Sequence, residues 1–321
     1  MSIVVTGGAG FIGSCIVREL NEKGIEDIIV VDNIASTEKW TNLCNKKYLT
    51  YVHKDQFLGK LENYKGITHI IHMGACSSTT EKDFDYLWNN NFEYTKRLWE
   101  YCSEKQISFI YASSAATYGD GTLGFDDEMN IDDLRPLNGY GYSKQLFDLW
   151  VKKQTFSPKQ HVGLKFFNVY GPNEYCKGSM ASMVLHGFNQ IKETGTIKLF
   201  KSCNPQYPDG GQLRDFVYVK DVCKVIMWLK DHPDVSGLFN VGTGNCYSFR
   251  ELAEATFHAL GIEPNITYID MPEHLKEKYQ YYTKAEMTKL QQVGYIEPFM
   301  ELQKAVKDYV VNYLEKEYEV F

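Results

Sequence analysis

Long hydrophobic runs, paired cysteine motifs and basic clusters are all missing from this sequence. None of its apolar stretches reaches the roughly 18 residues that a membrane-spanning helix needs. Its first residues, MSIVVTGGAGFIG, contain neither the basic region nor the cleavage site of a secretory signal. We therefore expect a cytoplasmic protein that does not bind a membrane.

The eight cysteines are scattered, and no two of them form a C-x-x-C pair. Several lie in apolar segments, where cysteine behaves as a small hydrophobic residue. His69 and His72 are the only closely spaced histidines, and residues three apart on a strand face opposite sides of the sheet. We therefore expect neither disulfides nor a metal site.

The charge distribution argues against nucleic acid as a partner. The formal net charge is −7, and no lysine and arginine cluster could displace counterions from a phosphate backbone. The composition, with 44% hydrophobic and 23% charged residues, is that of a globular protein large enough for one or two domains.

Apolar segments alternate with helical ones through the first half of the chain, which predicts an α/β fold with a Rossmann-type, doubly wound parallel sheet. We expect an NAD(P)-binding domain at 1–168 and a second, smaller α/β substrate domain at 169–321, with late strands returning to the first. The predicted strands are Ile3–Thr6, Ile28–Asp32, Ile67–His72, Phe109–Ala112 and Val162–Phe167. The predicted helices in this half are Phe11–Lys23, Leu87–Lys105 and Tyr140–Gln154.

A glycine-rich turn joins the first predicted strand to the first helix. Gly7, Gly10 and Gly13 would allow a tight turn and a close approach of the backbone to a pyrophosphate. Asp32 ends the second strand, where a carboxylate accepts hydrogen bonds from an adenosine ribose. The alternative for Asp32 is a helix cap or a turn. The strand, turn and helix context favours a dinucleotide site.

The residues after Asp32 bear on which dinucleotide binds. A carboxylate repels a 2′-phosphate and so favours NAD. Asn33, Lys39 and Lys54 follow, and two lysines that fold back on the site would offset this repulsion. We therefore predict NADP as the cofactor, with NAD as the alternative.

The segment YGYSK places Tyr140 and Lys144 on one face of a helix. A neighbouring ammonium would lower the pKa of the phenol, so that Tyr140 could take a proton from a substrate hydroxyl. Ser114, at a strand end, could bind the same oxygen. The alternatives are an exposed Tyr–Lys pair and a buried turn serine. Tyr142, two residues on, faces elsewhere.

Seven sequence motifs, in their order along the chain, resemble those of the extended short-chain dehydrogenase/reductase family, whose members modify sugar nucleotides. Ala115 and Ala116 stand where the dehydratases of that family have Asp and Glu, so the resemblance argues against dehydration. The motifs are GGAGFIG at 7–13, VVDN at 30–33, SSAATYG at 113–119, YGYSK at 140–144, FFNVYGP at 166–172, RDFVYVKDV at 214–222 and FNVGTG at 239–244.

Three strings are similar to the family's epimerases that invert C6 of an ADP-linked heptose for the lipopolysaccharide core: GACSSTTE at 74–81, YASSAATYG at 111–119 and KGSMAS at 177–182. This resemblance implies transient oxidation of C6 to a ketone with bound NADP. A UDP-hexose 4-epimerase is the alternative enzyme, which would use Tyr140 alone and leave Lys177 structural. An inactive dinucleotide-binding scaffold is another alternative, against which the intact Tyr140–Lys144 pair argues.

The resemblance also implies the residues of the site. Tyr140 and Lys177 would be the two acid/base groups, assisted by Lys144 and Ser114, in what we expect to be a homo-oligomer. Met73 departs from the acidic residue of the family pattern, and His186 has a core histidine as its alternative reading. Cofactor contacts are implied at Phe11, Ile12, Asp32, Asn33, Lys39, Lys54, Met73, Gly74, Ala75, Cys76, Ser77, Asn91, Lys144, Val169 and Lys177. Substrate contacts are implied at Asn168, Ser179, His186, Phe200, Lys201, Ser202, Cys203, Arg214 and Tyr279.

Overall fold

Seven parallel strands form the central sheet of the computed structural model, which describes residues 1–276 and 279–321. Their order across the sheet is β11-β6-β5-β4-β1-β2-β3. The strands are β1 (Ser2–Thr6), β2 (Ile28–Asp32), β3 (Thr50–His53), β4 (Ile67–His72), β5 (Ser108–Ser114), β6 (His161–Phe166) and β11 (Gly237–Val241). This arrangement confirms the predicted fold class.

The five predicted strands agree with the structure to within two residues at each end. β3 escaped prediction because it is short and only one of its four residues, Val52, is buried. The five residues of β2, in contrast, are all buried, as expected of a strand covered by helices on both faces.

Helices cover both faces of the sheet. On one face α1 (Phe11–Glu22) and α7 (Val219–Asp231) pack over Val30 and Val162. On the other face Trp99 of α4 (Tyr94–Lys105) and Phe147 of α5 (Gly139–Lys152) belong to a second core. The helices are α1 (Phe11–Glu22), α2 (Lys54–Lys60), α3 (Phe84–Leu87), α4 (Tyr94–Lys105), α5 (Gly139–Lys152), α6 (Met183–Thr194), α7 (Val219–Asp231), α8 (Phe249–Ala259), α9 (Glu273–Lys276), α10 (Thr288–Gln292) and α11 (Leu302–Tyr309). None of the helices in 1–276 and 279–321 has the length and apolar character to cross a membrane.

The predicted helix Leu87–Lys105 is divided into three segments. A π-helical turn, Trp88–Glu93, lies between α3 and α4. Such turns are rare and often occur at functional sites, because they alter the direction of neighbouring side chains. Asn90 and Asn91 both lie within this turn.

The second half of the chain builds a separate hydrophobic core from α6, α8 and α11, centred on residues such as Phe188, Leu252 and Tyr309. Three small strand pairs adjoin it: β7 (Asn168–Tyr170) with β10 (Phe216–Tyr218), β8 (Ile197–Phe200) with β13 (Ile266–Ile269), and β9 (Leu213–Arg214) with β12 (Tyr247–Ser248). The late strand β11 lies at the edge of the central sheet, beside β6. The division at residue 168 remains a prediction.

The chain reverses direction across the sheet between β1 and β4. It runs from β1 outwards through β2 and β3, then returns to the other side of β1 as β4. In open parallel sheets, ligands bind in the crevice beyond the carboxyl ends of the strands at this switch point. A ligand-binding site is therefore expected at the loops after β1, β4 and β5.

Candidate active site

A cavity of about 610 Å³ opens at this switch point. Its walls come from the glycine-rich turn, the ends of β2, β4 and β5, the start of α5 and the loop after β7. The predicted residues that line it are Gly7, Gly10, Phe11, Ile12, Gly13, Asp32, Asn33, Lys39, Lys54, Met73, Gly74, Ala75, Cys76, Ser77, Ser114, Tyr140, Lys144, Val169 and Lys177.

At Gly7 and Gly13 the glycine-rich turn has no room for a side chain. Gly7 has φ +65°, and a Cβ there would lie 2.7 Å from the backbone nitrogen of Gly74. A Cβ on Gly13 would lie 2.1 Å from the carbonyl oxygen of Gly7. Gly10 caps α1 without a side chain, so the first backbone N–H groups of the helix are left for an anion. The turn therefore fits the pyrophosphate of a dinucleotide.

The Asp32 carboxylate lies at the floor of the cavity. It accepts hydrogen bonds from the backbone N–H groups of Ala9 (2.9 Å) and Asn33 (2.7 Å) and from Nζ of Lys39 (2.7 Å). Asp32 caps no helix, because the next helical turn begins at Glu38. Lys39 thus folds back onto the carboxylate, while Lys54 donates to Asn90 Oδ1 at 2.9 Å.

Asn91 is not among the residues that line the cavity, and its neighbour Asn90 takes that position. The Asn91 side chain lies behind the cavity wall, where it accepts from Cys76 N–H at 2.8 Å and donates to Ser143 Oγ at 3.0 Å. Both asparagines lie in the π-helical turn, and their side chains have different surroundings. Asn91 therefore holds the wall formed by the loop after β4 rather than facing a ligand in it.

Tyr140, Lys144 and Ser114 meet at the inner end of the cavity. Asn138 starts α5 by accepting a hydrogen bond from Gly141 N–H at 2.8 Å. Lys144 donates to the Ala112 carbonyl at 2.9 Å, and burial lowers its pKa to about 8. The neighbouring Tyr142, in contrast, is 45% exposed.

The pKa of Tyr140 differs from the sequence-based expectation. Burial raises it above the ordinary value for tyrosine, and a hydrogen bond with Ser114 opposes this effect. Desolvation of the phenol has the larger effect, so the net shift is upward. The expected direction of the shift was therefore wrong for the protein without ligands.

A buried polar network supports this end of α5. Asp148, one turn beyond Lys144, accepts from Ser113 Oγ at 2.7 Å and from Lys165 Nζ at 3.2 Å. His72 lies between the hydroxyls of Thr6 and Thr95, and burial lowers its pKa to about 3. Sequence reasoning missed this network, because its members come from different strands and helices.

Lys177 lines the same cavity as Tyr140 but comes from another element, the 3₁₀-helical loop Tyr175–Met180. Its Nζ lies 5.3 Å from the centre of the Phe11 ring. Burial lowers the pKa of Lys177, and the negative charge of Glu174 opposes this shift. The cavity therefore brings together Tyr140 and Lys177, two groups able to exchange protons, from separate elements.

The predicted substrate residues do not belong to the described residues that line this cavity. Arg214 lies below the ring of Tyr279 at 5.3 Å, and it donates to the backbone carbonyls of Leu213 and Gln280. Burial lowers the pKa of Arg214. These partners are neutral, so the guanidinium is suited to an anionic ligand. Gln280 in turn donates to the carbonyl of Gly119, which links this cluster to the loop after β5.

The other substrate predictions comprise the segment 200–203 and three residues on separate elements. Phe200 ends β8, and the residues after it approach Tyr281, whose hydroxyl accepts from Cys203 N–H at 3.1 Å. Ser202 N–H donates to Asp209, and Lys201 pairs with Asp270. The remaining three are Asn168, exposed in β7, Ser179, exposed in the Lys177 loop, and His186, partly buried in α6.

Several residues that line the cavity were not predicted. Asn173 follows YGP and has a positive φ of 74°, a conformation that asparagine tolerates better than most residues. That preference was its only signal in the sequence. The others are Thr6, Val31, Asn42, Ser78, Tyr86, Asn90, Tyr94, Ala112, Ser113, Phe166, Phe167, Cys176 and Met180.

Comparisons with known proteins agree with this geometry. The model of the NAD dependent epimerase/dehydratase family matches residues 3–242. A relative from Nitratidesulfovibrio vulgaris (strain DP4), named ADP-L-glycero-D-manno-heptose-6-epimerase, is 52% identical over 315 residues, which cover 97% of each chain.

Two solved structures have the same fold. The Helicobacter pylori ADP-L-glycero-D-manno-heptose-6-epimerase superposes with a TM-score of 0.82 at 29% identity, over 97% of this chain and 95% of that one. A Thermus thermophilus UDP-glucose 4-epimerase in complex with NAD superposes with a TM-score of 0.78 at 27% identity, over 97% and 98% of the chains. The resemblance inferred from the sequence motifs is confirmed, and the chain belongs to the NAD dependent epimerase/dehydratase family.

Proposed function

We propose that this protein epimerises C6 of the heptose in ADP-D-glycero-D-manno-heptose, giving ADP-L-glycero-D-manno-heptose, a precursor of the lipopolysaccharide core. One observation carries the proposal: Tyr140 and Lys177 line one cavity from two separate elements. The names of the N. vulgaris and H. pylori relatives support the choice of substrate. A cytoplasmic location follows from the nature of such a soluble sugar nucleotide.

The chemistry explains why two proton-exchanging groups are useful. The C6–H bond has no neighbouring carbonyl, so removal of its proton is far too difficult. A bound nicotinamide would supply a hydride acceptor and donor, so that the substrate passes through a C6 ketone. C6 lies outside the sugar ring, so rotation about C5–C6 presents the opposite face and moves the oxygen to a new position.

In the proposed mechanism Tyr140 exchanges a proton with the C6 oxygen in one position. Ser114 forms a hydrogen bond with that oxygen. Lys144, which is charged below a pH of about 8, stabilises the phenolate form of Tyr140. Lys177 exchanges a proton with the same oxygen in its second position. Its lowered pKa brings it closer to the pH at which an acid/base group works efficiently.

We infer that the cofactor is NADP. The Asp32 carboxylate alone would repel a 2′-phosphate, but Lys39 already lies against it and Lys54 lines the same cavity. The two ammonium groups supply the positive charge that a phosphate needs. The nucleotide that co-purifies with the protein, identified by mass spectrometry, tests this choice against NAD.

We propose that Arg214 and Tyr279 bind the diphosphate of the substrate and the groups next to it. The guanidinium is buried beside neutral partners, and the fork of N–H donors matches two phosphate oxygens. Asn168, Ser179, His186 and the segment 200–203 are proposed as further substrate contacts. These roles rest on the family resemblance, since none of these residues is among the described ones that line the cavity.

Proton NMR of the purified protein with sugar nucleotides tests the function. We expect conversion of ADP-D-glycero-D-manno-heptose to the L-glycero epimer and no reaction of UDP-galactose. Conversion of UDP-galactose without reaction of the heptose would favour a UDP-hexose 4-epimerase instead. Absence of any hydride transfer with either compound would favour an inactive scaffold.

A further inference from the structure

Glu174 is a buried carboxylate three residues before Lys177. Its side chain is fully buried, although the residues that follow it in the loop, 175–180, are partly or fully exposed. A carboxylate loses much hydration when it is buried, so its place in the loop needs compensating partners. The mechanism above gives it no role.

Both oxygens of Glu174 are held by the ends of the loop. Oε1 accepts from Gly171 N–H at 3.3 Å and from Ser182 Oγ at 2.6 Å, and Oε2 accepts from Ser182 N–H at 2.6 Å. Ser182 is also the N-cap of α6, where its Oγ accepts from Leu185 N–H. The carboxylate therefore ties the start of the 171–182 loop to the start of α6.

Lys177 lies inside this closed loop. Its backbone N–H donates to the Glu174 carbonyl at 2.9 Å, which forms the turn between the two residues. The Lys177 side chain extends to the Phe11 ring on the cavity side. Tyr175, between them, is anchored by its hydroxyl to the Glu319 carbonyl at 2.7 Å. The loop thus has a fixed base, and the lysine projects from it.

We propose that Glu174 is a positioning residue for Lys177, which fixes the loop that presents the lysine and keeps a negative charge behind its ammonium. The inference rests on the proposed acid/base role of Lys177. Burial has the largest effect on both groups, raising the pKa of Glu174 and lowering that of Lys177, and the charge of each group opposes the shift of the other. Burial alone would push the lysine further towards its neutral form.

Other titratable groups surround the pair and are the same in every variant below. Tyr170, Tyr175 and Tyr309 face Glu174 from β7, the loop and α11. The titratable groups that share the cavity with Lys177 are Asp32, Lys39, Lys54, Cys76, Tyr86, Tyr94, Tyr140, Lys144 and Cys176.

The test is a direct measurement of the pKa of Lys177 in the full chain without substrate. The lysines are reductively methylated with ¹³C, and the NMR signal that is missing in Lys177→Met is titrated. In Glu174→Gln we expect this pKa to fall by about one unit, the lower end of the effect of a nearby opposite charge. In Glu174→Asp, which keeps the charge, it should return towards the wild-type value.

Asp221→Asn is the matched control. Asp221 is also a buried carboxylate that accepts a backbone hydrogen bond, from Met300 N–H at 2.7 Å, but it lies in α7 and pairs with Lys224. We expect no change in the pKa of Lys177 in this variant. A Lys177 pKa that is the same in Glu174→Gln as in the wild type would overturn the proposal.

The pH profile of kcat is a second readout. In Glu174→Gln the part of the profile that reports the ionisation of Lys177 should shift to lower pH, in both directions of the reaction. An equal loss of kcat at every pH would indicate a purely structural role and count against the proposal. The substrate-free titration stays valid even if ADP-heptose is not the substrate, so the two proposals fail separately.

A reciprocal measurement covers the case in which Glu174→Gln does not fold. Because the coupling is mutual, Lys177→Met should raise the pKa of Glu174. Titration of the ¹³C-labelled carboxyl, assigned by its absence in Glu174→Asp, measures this shift. An unchanged Glu174 pKa would overturn the inference on its own.

Discussion

Nζ of Lys39 donates a 2.7 Å hydrogen bond to the carboxylate of Asp32, at the position where the adenosine ribose of a dinucleotide is expected. The same ammonium also donates to the Asn33 carbonyl at 2.7 Å, which holds it over the end of β2. A residue typical of NAD sites is thus partly neutralised by a cation seven residues further on. This relationship decides how the cofactor preference can be altered.

Lys39→Ala should weaken NADP binding relative to NAD. Loss of one charge-assisted contact of about 1.4 kcal/mol corresponds to a tenfold rise in Kd for NADP, and the uncovered Asp32 adds repulsion. Calorimetric titration with both dinucleotides measures the ratio. Lys47→Ala is the control, because Lys47 pairs with Glu26 at an exposed site. An equal loss of affinity for NAD and NADP would contradict the assignment.

Tyr140→Phe should lower kcat by roughly 10² to 10⁴, the usual contribution of a general acid/base group. The ring is retained, so the free energy of unfolding should change little. Tyr142→Phe, two residues along the same helix, removes a hydroxyl from a side chain that is 45% exposed and should leave kcat unchanged. A Tyr140→Phe variant with normal kcat would exclude the proposed role.

Lys177→Met should abolish interconversion of the two heptose epimers while the protein still binds the dinucleotide. Methionine keeps most of the apolar contact with Phe11 but cannot exchange a proton. Lys192→Met serves as the control, since Lys192 also contacts a phenyl ring, that of Phe188, at an exposed position on α6. Full activity in Lys177→Met would favour an enzyme that works with Tyr140 alone.

Epimerisation in heavy water should leave C6 without deuterium. The hydrogen at C6 is expected to travel as a hydride that is shielded from solvent, whereas a proton removed from carbon would exchange. Proton NMR or mass spectrometry of the product measures the label. Deuterium at C6 would show that the reaction proceeds by proton transfer instead.

His72 should make the protein less stable in mild acid. Its pKa is about 3 in the folded state, against an ordinary value of 6.5, because it is buried between two threonine hydroxyls. Between these values only the unfolded chain binds the proton. Stability is therefore present above pH 6.5 and is lost as the pH falls towards 3, by up to about 1.4 kcal/mol per pH unit.

Urea unfolding between pH 7 and pH 4 measures this dependence. His72→Gln should flatten the fall in the free energy of unfolding, although the variant is less stable at pH 7 than the wild type. His258→Gln, at an exposed position on α8, should keep the wild-type slope. The same slope in His72→Gln and wild type would show that other groups dominate acid unfolding.

Local sequence patterns were sufficient for the fold and for one side of the site. The strand, glycine-rich turn and helix at 2–22, and the Tyr140–Lys144 pair on α5, depend on neighbours within a few residues. Such short-range relationships are set by helix and strand periodicity. The strands and helices predicted in the first half therefore agree with the structure, except that a π-helical turn interrupts the helix predicted at 87–105.

The polar residues that depend on distant partners were not predictable in this way. Asn90 and Asn91 are adjacent, and only the packing of their helical segment against the loop after β4 determines which one faces the cavity. The pKa of Tyr140 had the opposite direction to that expected, because burial depends on the whole fold. The Glu174 side chain gave no signal, since its partner Ser182 is eight residues away.

By itself the sequence determined that this chain forms a parallel sheet with a dinucleotide-type turn, because periodicity and glycine placement are properties of short segments. Only the tertiary structure decided that Lys177 shares a cavity with Tyr140, that Lys39 covers Asp32, and that Arg214 lies elsewhere. Lys177 and Tyr140 are far apart in the chain, and even Lys39 and Asp32, seven residues apart, belong to different elements. Their distances depend on how strands, loops and helices pack together, which no local pattern specifies.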